Sequence, residues 1–136
     1  MLAMIARRYS LPAHSFFLFG PRGTGKTTWL RHALPDARWF DLLRLQTVLD
    51  LSRQPESFRQ QVEALPAGSW VVIDEVQRLP PLLNEVHALI DDHGGRYKFA
   101  LSGSSARKLK RLDVNLLAGR AINRQFFPFT AAELDY

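Results

Sequence analysis

The feature that most constrains this chain is the run Gly20-Pro21-Arg22-Gly23-Thr24-Gly25-Lys26-Thr27. A glycine, four spacers and then Gly-Lys-Thr is the P-loop pattern. Ahead of it, Ser15-Phe16-Phe17-Leu18-Phe19 is a short apolar run that predicts a buried strand. Behind it, Thr28-Trp29-Leu30-Arg31-His32-Ala33-Leu34 has helical composition, stopped by Pro35. Strand, glycine-rich loop and helix together turn the pattern into a candidate anion site. Gly20, Gly23 and Gly25 let backbone N–H groups converge on an anion, and the helix N-terminus adds about half a positive charge aimed at the same place. In that setting Lys26 reaches the β- and γ-phosphates of a nucleotide and the Thr27 hydroxyl ligates Mg²⁺. Pro21, Arg22, Thr24 and Thr28 complete the segment expected to touch the nucleotide, although Arg22 reads equally well as facing solvent.

A second signal lies downstream in Trp70-Val71-Val72-Ile73-Asp74-Glu75, an apolar run that ends in two carboxylates. An unbroken β-branched run suits a strand buried on both faces, as in a parallel sheet. Ligands of such sheets bind beyond the carboxyl ends of the strands, where the P-loop also lies. Asp74 is therefore expected to hold Mg²⁺ directly or through water, and Glu75 to poise a water as general base. An acidic turn at a strand end is the better reading of Asp-Glu alone; the complete P-loop upstream reverses that choice. The second carboxylate also argues against a small-molecule kinase.

The intervening segments alternate. Arg38–Leu42 reads as a strand, and 43–52 as a helix with Leu45, Val48, Leu49 and Leu51 on its apolar side. Pro55 restarts a helix carrying Phe58, Val62 and Leu65, and Pro66-Ala67-Gly68 is a turn. Pro80-Pro81 opens a helix bearing Leu82, Leu83, Val86, Leu89 and Ile90, which Gly94-Gly95 closes. Tyr97–Leu101 predicts a strand that delivers Ser102, Ser104 and Ser105 past its end, where a hydroxyl can sense the γ-phosphate or simply sit in a polar turn. Arg120–Phe129 predicts a last strand, and Thr130–Tyr136 begins a helix that the chain leaves unfinished. Strands alternating with helices predict an α/β fold with a mainly parallel sheet. The expected organisation is an N-terminal arm at 1–14 and a core at 15–136, cut before a lid or a second domain.

Composition narrows the function classes. A chain of 136 residues, 46% hydrophobic and 23% charged, has room for one domain with a real core. It has no cysteine, which excludes disulfides and thiolate metal sites. His14, His32, His87 and His93 show no ligand spacing. The apolar start at Met1–Ala6 is too short for a signal peptide or a membrane span, so a cytoplasmic setting without membrane attachment is expected. The net charge of +5 is compatible with nucleic acid, but equally with a site for nucleotide phosphates. The basic stretch Arg107, Lys108, Lys110 and Arg111, with Arg124 beyond it, lacks interleaved stacking aromatics in its first four members. That favours a solvated helix face over a nucleic-acid module.

Four motifs occur in order: Gly-Pro-Arg-Gly-Thr-Gly-Lys-Thr-Thr, Val-Ile-Asp-Glu-Val-Gln-Arg-Leu-Pro, Leu-Ser-Gly-Ser-Ser-Ala-Arg-Lys-Leu and Leu-Ala-Gly-Arg. Together they resemble the prokaryotic AAA-type P-loop ATPases whose ATPase domain usually precedes a C-terminal domain of unknown function. The resemblance runs from about Ser15 to Glu133. It implies a three-layer RecA/AAA-like core with a five-stranded sheet in the order 5-1-4-3-2. It also implies ATP and Mg²⁺ as cofactors, and assembly into a homo-oligomer or action on a downstream domain. Lys26, Asp74, Glu75, Ser102 and Arg120 are then the expected catalytic set, with Thr27 and Asp74 at the metal. Arg107 and Arg120 are candidate phosphate-sensing or trans-acting arginines, each of which reads equally as a solvated side chain. Hydrolysis by this stretch alone is expected to be slow, because it lacks the second domain and lid of its resembled family. The competing class is a nucleotide-dependent switch that binds without hydrolysing.

Overall fold

The structure is a computed structural model that describes residues 11–20 and 25–104, together with the backbone of a strand at 122–125. Strands β1 (Phe16–Phe19), β2 (Arg38–Asp41), β3 (Trp70–Asp74), β4 (Lys98–Gly103) and β5 (Ile122–Gln125) form one sheet in the order β2-β3-β4-β1-β5. Every pairing is parallel. Read from the other edge, the order is 5-1-4-3-2, as the resemblance implies. The described helices are α1 (Lys26–Ala33), α2 (Leu45–Arg53), α3 (Glu56–Glu63) and α4 (Leu82–His93). Short 3₁₀ turns follow β3 (Val76–Arg78) and α4 (Gly94–Arg96).

Side chains alternate across the pleat, so β1, β3 and β4 each feed two cores. Phe16, Leu18, Val72 and Ala100 meet Trp29, Leu30 and Leu34 on one side. Phe17, Phe19, Val71, Ile73, Phe99 and Leu101 face the larger core, which includes Leu51, Phe58, Val62, Leu83, Val86 and Leu89 from the helices. Phe17 and Phe19 stack at 5.2 Å along one strand, and Phe40 tilts against Phe58 at 5.0 Å across the layers. The result is the expected three-layer sandwich. Among the described residues no helix is long and apolar enough to cross a membrane.

Several boundaries differ from the sequence reading. Helix α1 starts at Lys26, not Thr28, because Gly25 supplies a left-handed N-cap at φ 92° that a side chain would resist. Strand β4 continues through Ser102 and Gly103. Serine and glycine mark turns by default, but here Gly103 pairs with Phe19 and Ser102 finds buried partners. The described part of the last strand is Ile122–Gln125. The lead-in segment at 1–10, the basic stretch at 107–111 and the final helix lie outside the described residues.

Away from the P-loop, Glu63 ties α3 to the end of α4. Its carboxylate meets His93 Nε2 at 2.6 Å and Arg59 at 3.3 Å. The hydrogen bond from His93, aided by Arg59 and opposed by partial desolvation, holds Glu63 below the usual carboxylate range. A depressed acid stabilises the fold above its unfolded-state pKa and loses that contribution as pH falls through the folded one. The stability difference between wild type and Glu63→Gln, measured by urea unfolding, is therefore expected to shrink once pH falls below about 4.3. Phe58→Ala should cost about 3–5 kcal/mol in the same measurement, because Phe58 is fully buried. Leu45→Ala, at a 66% exposed position, should stay within about 0.5 kcal/mol of wild type.

Candidate functional site

The site follows from strand register. Phe19 pairs with Gly103, Leu18 with Ser102 and Ile73 with Leu101, so β1, β4 and β3 end along one edge of the sheet. Asp74 is the last residue of β3, and α1 begins at Lys26, shortly after the end of β1. Residues distant in sequence therefore converge at this edge.

Lys26 is almost fully buried, at 3% exposure. Its ammonium donates to the carbonyl of Gly20 at 2.7 Å and to that of Gly103 at 3.4 Å, and lies 3.5 Å from Glu75 Oε1. The Gly103 carbonyl also accepts the Gly20 N–H at 3.1 Å. A buried ion pair contributes little net stability, because desolvation opposes its attraction. The arrangement thus leaves a desolvated cation whose oxygen partners can be exchanged for others.

Thr27 Oγ1 donates to Asp74, at 3.0 Å from Oδ2 and 3.3 Å from Oδ1. The two residues named as metal ligands are adjacent, though 47 positions apart in the chain. Ser102, fully buried, donates its proton to Asp74 Oδ1 at 2.5 Å and accepts the Glu75 N–H at 2.8 Å. Its hydroxyl is thus committed to orienting the end of β3 from inside β4. Asp74 has hydroxyl partners and no ion pair among the described residues. Asp74, Glu75 and Lys26 together leave one buried negative charge in excess if all are ionised, and the oxygen donors of Thr27 and Asp74 suit a hard cation. The donor set therefore fits Mg²⁺. No cluster of three or more acidic, histidine or cysteine ligands exists among the described residues.

Glu75 adopts φ 62°, the one non-glycine residue with positive φ among those described. Holding such a residue there costs about 1–3 kcal/mol. Its N–H is fixed by Ser102, and its carbonyl accepts the Arg78 N–H at 3.0 Å. This kink turns the Glu75 side chain towards Lys26. Gln77 Nε2 donates to Glu75 Oε2 at 2.6 Å.

Gly20, Gly25, Lys26, Thr27, Asp74, Glu75 and Ser102 are thus gathered at one edge, with Thr28 exposed on the first turn of α1. Pro21, Arg22, Gly23, Thr24, Ser105, Arg107 and Arg120 lie outside the described residues. Sequence reasoning assigned no part to Gln77 or to the carbonyls of Gly20 and Gly103. Backbone oxygens carry no sequence signature, and the contact of Gln77 depends on the kink at Glu75.

The family described as AAA domain matches residues 13–135. Comparison with curated proteins gave no match. Among solved structures, the chain is similar to the RuvB T158V variant of Thermotoga maritima, with TM-score 0.60 and 19% identity over 95% of this chain and 44% of that one. It is also similar to Cdc6p from Pyrobaculum aerophilum, with TM-score 0.56 and 18% identity over 98% and 46% of the two chains. A P-loop NTPase domain of a sigma-54 activator from E. coli gives TM-score 0.55 and 12% identity over 86% and 97%. These likenesses establish the P-loop NTPase fold. The chain spans less than half the length of the RuvB and Cdc6p chains.

Ser102→Ala should cost about 1–3 kcal/mol in urea unfolding, since it leaves the buried Glu75 N–H without its acceptor. An unchanged midpoint would show that this hydroxyl does not organise the strand ends.

Proposed function

The chain belongs to the AAA domain family, and on that premise we propose that it binds ATP with Mg²⁺ and hydrolyses it to drive a conformational change in an attached domain or a neighbouring copy. The observation that carries this reading is the convergence at the strand ends of two contacting pairs, Lys26 with Glu75 and Thr27 with Asp74, joined through the Ser102 hydroxyl. When bound, ATP supplies the phosphoanhydride bond and Mg²⁺ the charge that offsets its oxygens.

The chain's own groups divide the work. Lys26 exchanges the Gly20 carbonyl and Glu75 for phosphate oxygens, and burial strengthens that attraction. Thr27 and Asp74 present oxygens to the metal, with Ser102 fixing the Asp74 carboxylate. Glu75 takes the proton of the attacking water, a role worth about 10²–10⁴-fold in rate. The N-terminus of α1 adds its dipole at the phosphates. Arg120 is proposed to supply further positive charge to the γ-phosphate, in this chain or across to a neighbour.

Calorimetric titration with ATP and Mg²⁺, paired with single-turnover hydrolysis, tests the proposal. Lys26→Ala should lose most triphosphate affinity while keeping its fold. Glu75→Gln should bind ATP but slow turnover by about 10²-fold or more. Unchanged ATP affinity in folded Lys26→Ala would refute the phosphate assignment. Unchanged turnover in Glu75→Gln would remove Glu75 as the base.

A further inference from the structure

The two carboxylate oxygens of Glu75 have different partners. Oε1 lies 3.5 Å from Lys26 Nζ, on the side of the P-loop, and Oε2 accepts a 2.6 Å hydrogen bond from Gln77 Nε2. Of the two ends of a glutamine amide, only the NH₂ can donate to a carboxylate, so this contact fixes the orientation of Gln77. The other end, Oε1, is buried and has no hydrogen-bond partner among the described residues. The backbone explains the geometry. Glu75 at φ 62° feeds directly into the 3₁₀ turn Val76–Arg78, which folds Gln77 back over Glu75. Across the strand ends, a Cβ added at Gly103 would come within 3.3 Å of Gln77 Oε1. Gln77 is therefore wedged between the kink after β3 and the last residue of β4.

We propose that Gln77 is a positioning residue for ATP hydrolysis: its amide ties back Glu75 Oε2 so that Oε1 stays directed at the phosphate side of the site. This rests on the hydrolytic reading above. In the structure Glu75 has two side-chain partners, an ammonium and an amide. Once Lys26 turns to phosphate oxygens, the amide is the one that remains among the described residues. A glutamate facing a polyanion is then repelled by like charge and has several rotamers in which to retreat. A neutral donor suits the restraint. A lysine or arginine at position 77 would pair with the base and compete for its lone pairs, and a second carboxylate would repel it.

The test is single-turnover hydrolysis of ATP with Mg²⁺, alongside calorimetric ATP affinity, for wild type, Gln77→Ala, Gln77→Met, Glu75→Gln and the double variant Glu75→Gln/Gln77→Met. Gln77→Met keeps the length and packing of the side chain but removes the donor, which guards against a folding defect in Gln77→Ala. A misplaced catalytic group can cost about 10²-fold in rate, and a loss approaching that is expected in both variants. ATP affinity should stay within about twofold of wild type, since the amide acts on the reacting group and not on ground-state binding. In the Glu75→Gln background, Gln77→Met should cause no further loss, because groups acting through one another are not additive. Gly103→Ala, which crowds Gln77, should give a smaller loss of the same kind. Wild-type turnover by Gln77→Met, simple multiplication of the two losses, or a parallel loss of ATP affinity would each overturn the proposal while leaving the ATPase reading intact. A wild-type protein that binds ATP and Mg²⁺ but never turns over would overturn both.

Discussion

The arrangement depends first on the parallel register that brings β1, β4 and β3 to a common edge. That register is held by the alternation of large apolar side chains between the two faces of the sheet. A slip of one residue would send every buried side chain of a strand to the opposite face. In β3 it would also exchange Asp74 for Ile73 at the level of Ser102. Core and site are therefore one constraint, and loops can vary in length far more freely than β3 or β4 can gain or lose a residue.

Upon that frame sits a compact set of charges with scant access to water. Lys26, Asp74 and Glu75 are each at most 3% exposed. Desolvation makes each of them sensitive to the arrival of another charge. The protein satisfies them with carbonyls, hydroxyls and an amide, partners that can be given up at modest cost. Such a set is prepared for a ligand without being locked by a strong internal salt bridge.

Much of this was legible in the residues, for physical reasons that differ from case to case. The P-loop and the Asp74-Glu75 pair are local patterns, readable because the strand, turn and helix around them are continuous in sequence. The parallel, three-layer class followed from alternating strands and helices. The strand order came through resemblance to a family, because crossover connections hide which strands become neighbours. Ser102 was misplaced beyond its strand, since a serine-glycine cluster reads as a turn until its buried partners on β3 are known. Gln77 stayed silent because its contact depends on the left-handed backbone of Glu75, a conformation that glutamate seldom takes.

Helix α1 is the helix, among the described residues, that contributes Trp29 and Leu30 to the smaller of the two cores, and it is also the helix that begins with Lys26. It is eight residues long, a rod of about 12 Å. Its far end leads into Leu34, which packs in a cluster that also draws on Trp70 at the opposite end of the strands from Asp74. One short helix, through the smaller apolar layer, therefore joins the edge of the sheet that carries Asp74 to the opposite edge.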